Sequence, residues 1–139
     1  MNTRLLLLVL LSLAGHTRAA DRPNIVFVFA DDIGWKDVGW QGSDFYETPH
    51  LDALAKQGMV FTAGYAAMAN CAPSRACLLS GTYTPRHHVY AVQTTDRGPK
   101  ESQRLVPIPN KSGLPKENGT MADALKAAGY ATGIFGKWH

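Results

Sequence analysis

Cys71, Pro73 and Arg75 stand in the run Cys71-Ala72-Pro73-Ser74-Arg75-Ala76-Cys77-Leu78-Leu79-Ser80-Gly81, and their types and spacing suit one kind of chemistry. Pro73 is favoured where a helix starts, because its missing N–H would have been unpaired there anyway, and Gly81 where a helix stops in the left-handed conformation. The spacing predicts a short helix beginning just after Cys71. A side chain at such a start lies beside unpaired backbone N–H groups and the positive end of the helix dipole, which favour an anion or an oxygen-bearing nucleophile. Arg75 is four residues on and shares the face of Cys71. Helical side chains lean toward the N-terminus, so its guanidinium is expected to reach back over Cys71 and an oxyanion bound there. The blander reading of Cys71 is a small buried residue, and the Pro, Ser and Arg at fixed offsets weigh against it. A thiolate phosphatase fails on spacing, because Arg75 stands too close to the cysteine.

Two further groups of polar residues sit at the ends of apolar runs. Asp31-Asp32 follows Asn24-Ile25-Val26-Phe27-Val28-Phe29-Ala30. Adjacent carboxylates repel, and burying either alone is costly; a hard, oxygen-seeking divalent cation relieves both problems. The alternative is a solvated turn, since Asp-Asp before Ile33-Gly34 is also loop chemistry. Gly136-Lys137-Trp138-His139 follows the run from Ala131 to Phe135. Strand alternation puts Lys137 and His139 on one side, so a cation and an imidazole project together; the alternative is an exposed strand end. His87 and His88 are neighbours on a loop, a poor arrangement for holding one metal ion, and receive no catalytic role. Cys77 reads as core, and a bridge to Cys71 across so short a helix would violate disulfide geometry.

The elements that must position these residues follow from local signals. The chain has 139 residues, 45% of them hydrophobic, as in an ordinary globular domain. The apolar runs at 24–30, 59–62 and 131–135 are short for helices and read as strands buried on both faces of a parallel sheet. Between them, Thr48, Pro49 and Gly58 bracket a helix with Leu51, Leu54 and Ala55 on its apolar face. Thr120, Asp123 and Gly129 bracket another, with a capping-box-like start. Residues 93–114 have no sustained period and carry Gly98, Pro99, Pro107 and Pro109, which marks a surface loop. Asn110-Lys111-Ser112 and Asn118-Gly119-Thr120 are formal glycosylation acceptors of little weight. Residues 1–19, with Arg4 before a leucine-rich stretch and small residues at Ala19-Ala20, read as a secretory signal peptide. Its removal takes Arg4 and Arg18 from a chain of net charge +3 and leaves 12 basic against 11 acidic residues, a net charge of +1. No basic run points to nucleic acid, and after the signal no apolar run is long enough to span a bilayer.

Cys-x-Pro-Ser-Arg, an apolar half-turn and Ser-Gly together resemble the signature of the formylglycine-dependent, arylsulfatase-like sulfatases. The stretch from Asn24 to Trp35 looks like the opening strand of that family, and Gly136-Lys137-Trp138-His139 is similar to a second family motif in the right order. The resemblance covers residues 22–139. It implies an α/β fold, the alkaline-phosphatase-like sandwich with a mainly parallel central sheet flanked by helices. It implies that a formylglycine-generating enzyme oxidises Cys71 to formylglycine, whose hydrate attacks the sulfur of an aryl or carbohydrate sulfate ester. By the same resemblance Asp31, Asp32 and residue 71 hold one calcium ion, Arg75 holds the hydrate, Lys137 neutralises sulfate oxygens and His139 assists proton loss. A phosphonate monoester or phosphodiester hydrolase of the same superfamily is the nearest alternative, and a non-catalytic exported binding protein a more distant one. Further metal ligands and catalytic groups of the family lie downstream of these motifs. Residues 20–139 are therefore expected to be the N-terminal part of an exported (periplasmic, secreted or lysosomal) catalytic domain, aggregation-prone and inactive when expressed alone.

Overall fold

The computed structural model describes residues 22–139. The signal-peptide reading of residues 1–19 lies outside the described residues. The chain divides into two compact units, one running through Asp32 and the other spanning Ile33–His139.

In the first unit, residues 24–30 have neither helix nor turn. The Phe27 and Phe29 rings stack at 6.1 Å, as side chains two positions apart do when they share a face of an extended chain. The chain bends at Asp31 and Asp32, and Asp32 has φ 54°. That left-handed conformation is uncommon for a residue with a side chain, though less so for aspartate.

The second unit contains four helices, α1 (Pro49–Gln57), α2 (Cys71–Ser80), α3 (Thr84–His87) and α4 (Met121–Ala127), with 3-10 turns at Gly39–Gln41 and Lys100–Ser102. Among the described residues no strand pairing is formed, so the runs at 24–30, 59–62 and 131–135 do not make the expected sheet there. A parallel strand needs bonded neighbours on both edges and cover on both faces, whereas Phe61 is 77% exposed and Phe135 97%. Burial is concentrated around α2. Ala72 and Ala76 meet Val89, and Val92, Leu114 and Trp138 pack against that group. No helix among the described residues is long and apolar enough to cross a membrane.

Each helix end has a local cause. α2 starts at Cys71, earlier than the proline suggests, because the Asn70 side chain accepts from the Cys71 N–H at 2.8 Å. Pro73 then stands inside the first turn, where its lack of an N–H still costs nothing. Gly81 closes the helix in the left-handed conformation at φ 63°, which a residue without a Cβ adopts freely. Thr48 precedes α1 but does not cap it. Its hydroxyl accepts from the Gly39 N–H and donates to Asp52, whose carboxylate also accepts from the Trp40 N–H, so the 3-10 turn is tied to the helix instead. α4 opens with the expected capping box between Thr120 and Asp123. It ends in a Schellman arrangement, with Tyr130 N–H donating to Leu125 O and Gly129 N–H to Lys126 O. The apolar face predicted for α1 is only partly covered, with Leu51 and Leu54 exposed and Ala55 half-buried, and neither α1 nor α4 contains a fully buried residue.

Candidate functional site

Cys71 is the first residue of α2 and half-buried. Its position at the helix start agrees with the anion-favouring environment read from the sequence. The Lys137 ammonium points at it, with Nζ 3.7 Å from Sγ across 66 positions of chain. A cation at that distance stabilises negative charge developing on the residue 71 side chain or on an anion beside it.

Arg75 explains how Lys137 arrives there. The residue is 9% exposed, and its guanidinium donates from Nη1 to the Lys137 backbone carbonyl at 3.1 Å. Spacing along the helix predicted a reach toward Cys71; the structure shows a docking contact to Lys137 that clips the Gly136–His139 segment onto α2. Trp138 completes the attachment by packing against the Ala72, Ala76 and Val89 group. Successive residues thus alternate, Lys137 toward the thiol and Trp138 into the core.

His139 makes a separate polar contact. Its Nε2 lies 3.2 Å from the Ser112 carbonyl oxygen. A carbonyl only accepts, so Nε2 carries the proton, and in the neutral ring Nδ1 is the nitrogen able to take one. Its ring also meets Trp138 edge-on at 5.4 Å. Of the four second-unit residues singled out, the structure brings Cys71, Arg75 and Lys137 together and ties His139 to a loop 27 residues earlier.

Asp31 and Asp32 belong to the first unit. Their donor set is two carboxylates side by side, with Asp32 in the left-handed conformation. Hard oxygen donors of this kind fit calcium or magnesium rather than a soft transition metal. Backbone outliers of this type collect at ligand sites.

Two features of the second unit escaped the sequence reading. Cys77 and His87 are buried against one another, with Sγ 3.4 Å from Nε2. His87 Nδ1 accepts from the Val89 N–H at 3.1 Å, so the proton sits on Nε2 and points at the sulfur. Burial lowers the His87 pKa, assisted by the neighbouring His88 charge and opposed by the Thr82 backbone. Burial likewise raises the Cys77 thiol pKa against opposing backbone hydrogen bonds from Thr84 and from Cys77 itself. Both groups are therefore neutral. Cys77 was expected in the core and is there; nothing local marks His87 as its partner. As geometry required, Cys71 and Cys77 are not bridged. The second feature is Asn110, whose side chain makes four hydrogen bonds to residues 90–93.

The sulfatase family model matches residues 23–139. N-acetylgalactosamine-6-sulfatase of Sus scrofa is 42% identical over 139 residues, covering 99% of this chain and 26% of the relative. Human arylsulfatase A is 43% identical over 131 residues, covering 94% of this chain and 24% of the relative. Arylsulfatase G of Rattus norvegicus is 40% identical over 131 residues, covering 92% and 22%. The chain spans about a quarter of the length of these curated relatives.

Proposed function

The chain belongs to the sulfatase family, and from that premise we propose that it carries the nucleophile of an exported enzyme hydrolysing aryl or carbohydrate sulfate esters. The observation that carries this reading is the approach of Lys137 Nζ to Cys71 Sγ at the start of α2. The names of the relatives, an N-acetylgalactosamine-6-sulfatase and arylsulfatases, support the substrate class. The fold of the complete domain is the alkaline-phosphatase-like sandwich with a mainly parallel sheet.

Formylglycine made from Cys71 by a formylglycine-generating enzyme supplies, as its hydrate, an oxygen nucleophile for sulfur. Asp31 and Asp32 would hold a calcium ion, which would supply positive charge to sulfate oxygens. The chain's own residues do the rest. Lys137 neutralises charge that develops on oxygen as the ester bond breaks, the kind of fixed electrostatic stabilisation that dominates such reactions. Arg75 holds Lys137 at that point through its carbonyl and, by the family resemblance, holds the hydrate. His139, donating from Nε2 to Ser112, keeps Nδ1 to accept a proton. The N-terminal segment 1–19 directs export.

Peptide mapping of active protein made in a host with the modifying system is the test. Formylglycine at residue 71, together with hydrolysis of an aryl sulfate abolished by Cys71→Ala, is the expected result. An unmodified thiol in active protein, or preference for a phosphonate monoester over the sulfate, would overturn it.

A further inference from the structure

Asn110 stands in the long irregular loop, yet its side chain makes four hydrogen bonds to backbone groups. Its Oδ1 accepts from the Tyr90 N–H at 2.7 Å and the Ala91 N–H at 3.1 Å, and its Nδ2 donates to the Ala91 carbonyl at 3.1 Å and the Gln93 carbonyl at 2.8 Å. Donors face the oxygen and acceptors face the nitrogen, so the amide orientation is settled by its partners. The next residue continues the strap, Lys111 N–H donating to His88 O at 2.9 Å. The one after it, Ser112, presents the carbonyl that receives His139 Nε2. On either side, Val92 and Leu114 pack against the core group that includes Ala72 and Ala76 of α2.

We propose that Asn110 is a positioning residue for His139: by strapping residues 110–112 to residues 88–93 it fixes the Ser112 carbonyl, and that carbonyl fixes which imidazole nitrogen carries the proton. The consequence rests on the proton-accepting role given to His139 above. A ring whose Nε2–H is committed to a carbonyl offers Nδ1 in one orientation, whereas an unanchored ring samples both tautomers and several rotamers. The strap closes the base of the loop that runs from Gln93 to Asn110. The outer part of that loop has its own fastening within residues 96–103, Gln103 Nε2 donating to Asp96 Oδ1 and to the Arg97 and Gly98 carbonyls.

The test reads the ring directly and needs no turnover. In 15N spectra of the active enzyme at a pH where the imidazole is neutral, His139 is expected to show distinct Nε2–H and bare Nδ1 signals, and the Lys111 amide to exchange slowly. Asn110→Asp keeps the accepting oxygen and loses both donors; Asn110→Ala loses all four bonds. Both should move the two ring nitrogens toward averaged values and abolish slow exchange at Lys111, Ala more than Asp, while Gln103→Ala leaves both signals in place. Unchanged His139 signals in folded Asn110→Asp, or an equal change in Gln103→Ala, would overturn the proposal. Loss of folding in both Asn110 variants would assign the residue to stability alone and overturn it too. In active enzyme, Asn110→Asp should lower kcat by about tenfold at constant KM, and should add nothing in a His139→Ala background; absence of any sulfatase turnover would count against the function proposed above and leave the ring measurement to decide this one.

Discussion

Lys137 carries the sharpest expectation at the scale of single residues, because its ammonium and the residue 71 side chain are brought together by contacts from elsewhere. Replacing Lys137 with Ala in the active enzyme should lower kcat by a factor on the order of 10²–10³, the cost of removing one fixed charge-stabilising group. Steady-state kinetics with an aryl sulfate measures it. The Cys77–His87 pair makes a different prediction. His87 is held neutral by burial, so below about pH 6.5 the unfolded chain takes a proton that the folded one refuses, and stability falls as pH drops. Cys77 is held as the thiol, so above about pH 8.5 the unfolded chain releases a proton that the folded one keeps, and stability falls as pH rises. Denaturation midpoints should show a plateau between those limits. His87→Gln should flatten the acid side and Cys77→Ala the alkaline side; a variant that left its own limb unchanged would break the assignment.

α4 is the element whose stability is most locally determined. Thr120 Oγ1 accepts from the Asp123 N–H at 3.2 Å, and Asp123 Oδ2 accepts from the Thr120 N–H at 2.9 Å and its hydroxyl at 2.7 Å. Thr120→Ala should destabilise the helix by about 1 kcal/mol, as loss of an N-cap does, visible as faster amide exchange over residues 121–127. The Asp123 pKa is lowered, first by the Thr120 side-chain bond and then by its backbone N–H. A carboxylate bound more tightly in the folded state contributes stability above its ordinary pKa and loses it as pH falls through the depressed value. Amide protection at 121–127 should therefore persist at neutral pH and fade in acid, and Asp123→Asn should remove that fading. α2 differs in kind, since its end at Gly81 is local but its working contacts reach Lys137, His87 and, through the core, Trp138.

For the whole molecule the governing fact is how little apolar surface is covered. Val26, Phe61, Ile134 and Phe135 are 87%, 77%, 70% and 97% exposed. Uncovered apolar runs with unpaired backbone invite association. Residues 20–139 expressed alone should sediment as a concentration-dependent aggregate, and a monomer with a cooperative melt would contradict this. Calcium binding is a second expectation at this scale. Asp31→Asn and Asp32→Asn should each weaken calcium binding measured by titration calorimetry, by roughly tenfold or more, since each removes a formal charge from the donor set; unchanged affinity in both variants would refute the assignment.

The sequence by itself determined the punctuation of this protein and the order of its reactive residues. Gly81 after α2, and Thr120, Asp123 and Gly129 around α4, act through bonds within a few positions, so residue type alone specifies them, whereas the Asn70 cap of α2 emerged only in the structure. Cys71, Asp31-Asp32 and Lys137 stood out as residue types at fixed offsets, and the roles proposed for them came from the family resemblance. What tertiary structure decided lies across long stretches of chain. Lys137 meets Cys71 over 66 positions, Asn110 straps residues 17 to 20 positions earlier, and His139 reaches back 27 to Ser112. Such pairings depend on how α2 packs with Val89, Leu114 and Trp138, a balance of apolar contact and backbone satisfaction that leaves no periodic trace. For the same reason Asn110 looked like a loop residue and His87 like a surface one. The apolar runs show the opposite limit: their composition suits burial on both faces, but a sheet exists only where neighbouring strands complete its hydrogen bonds.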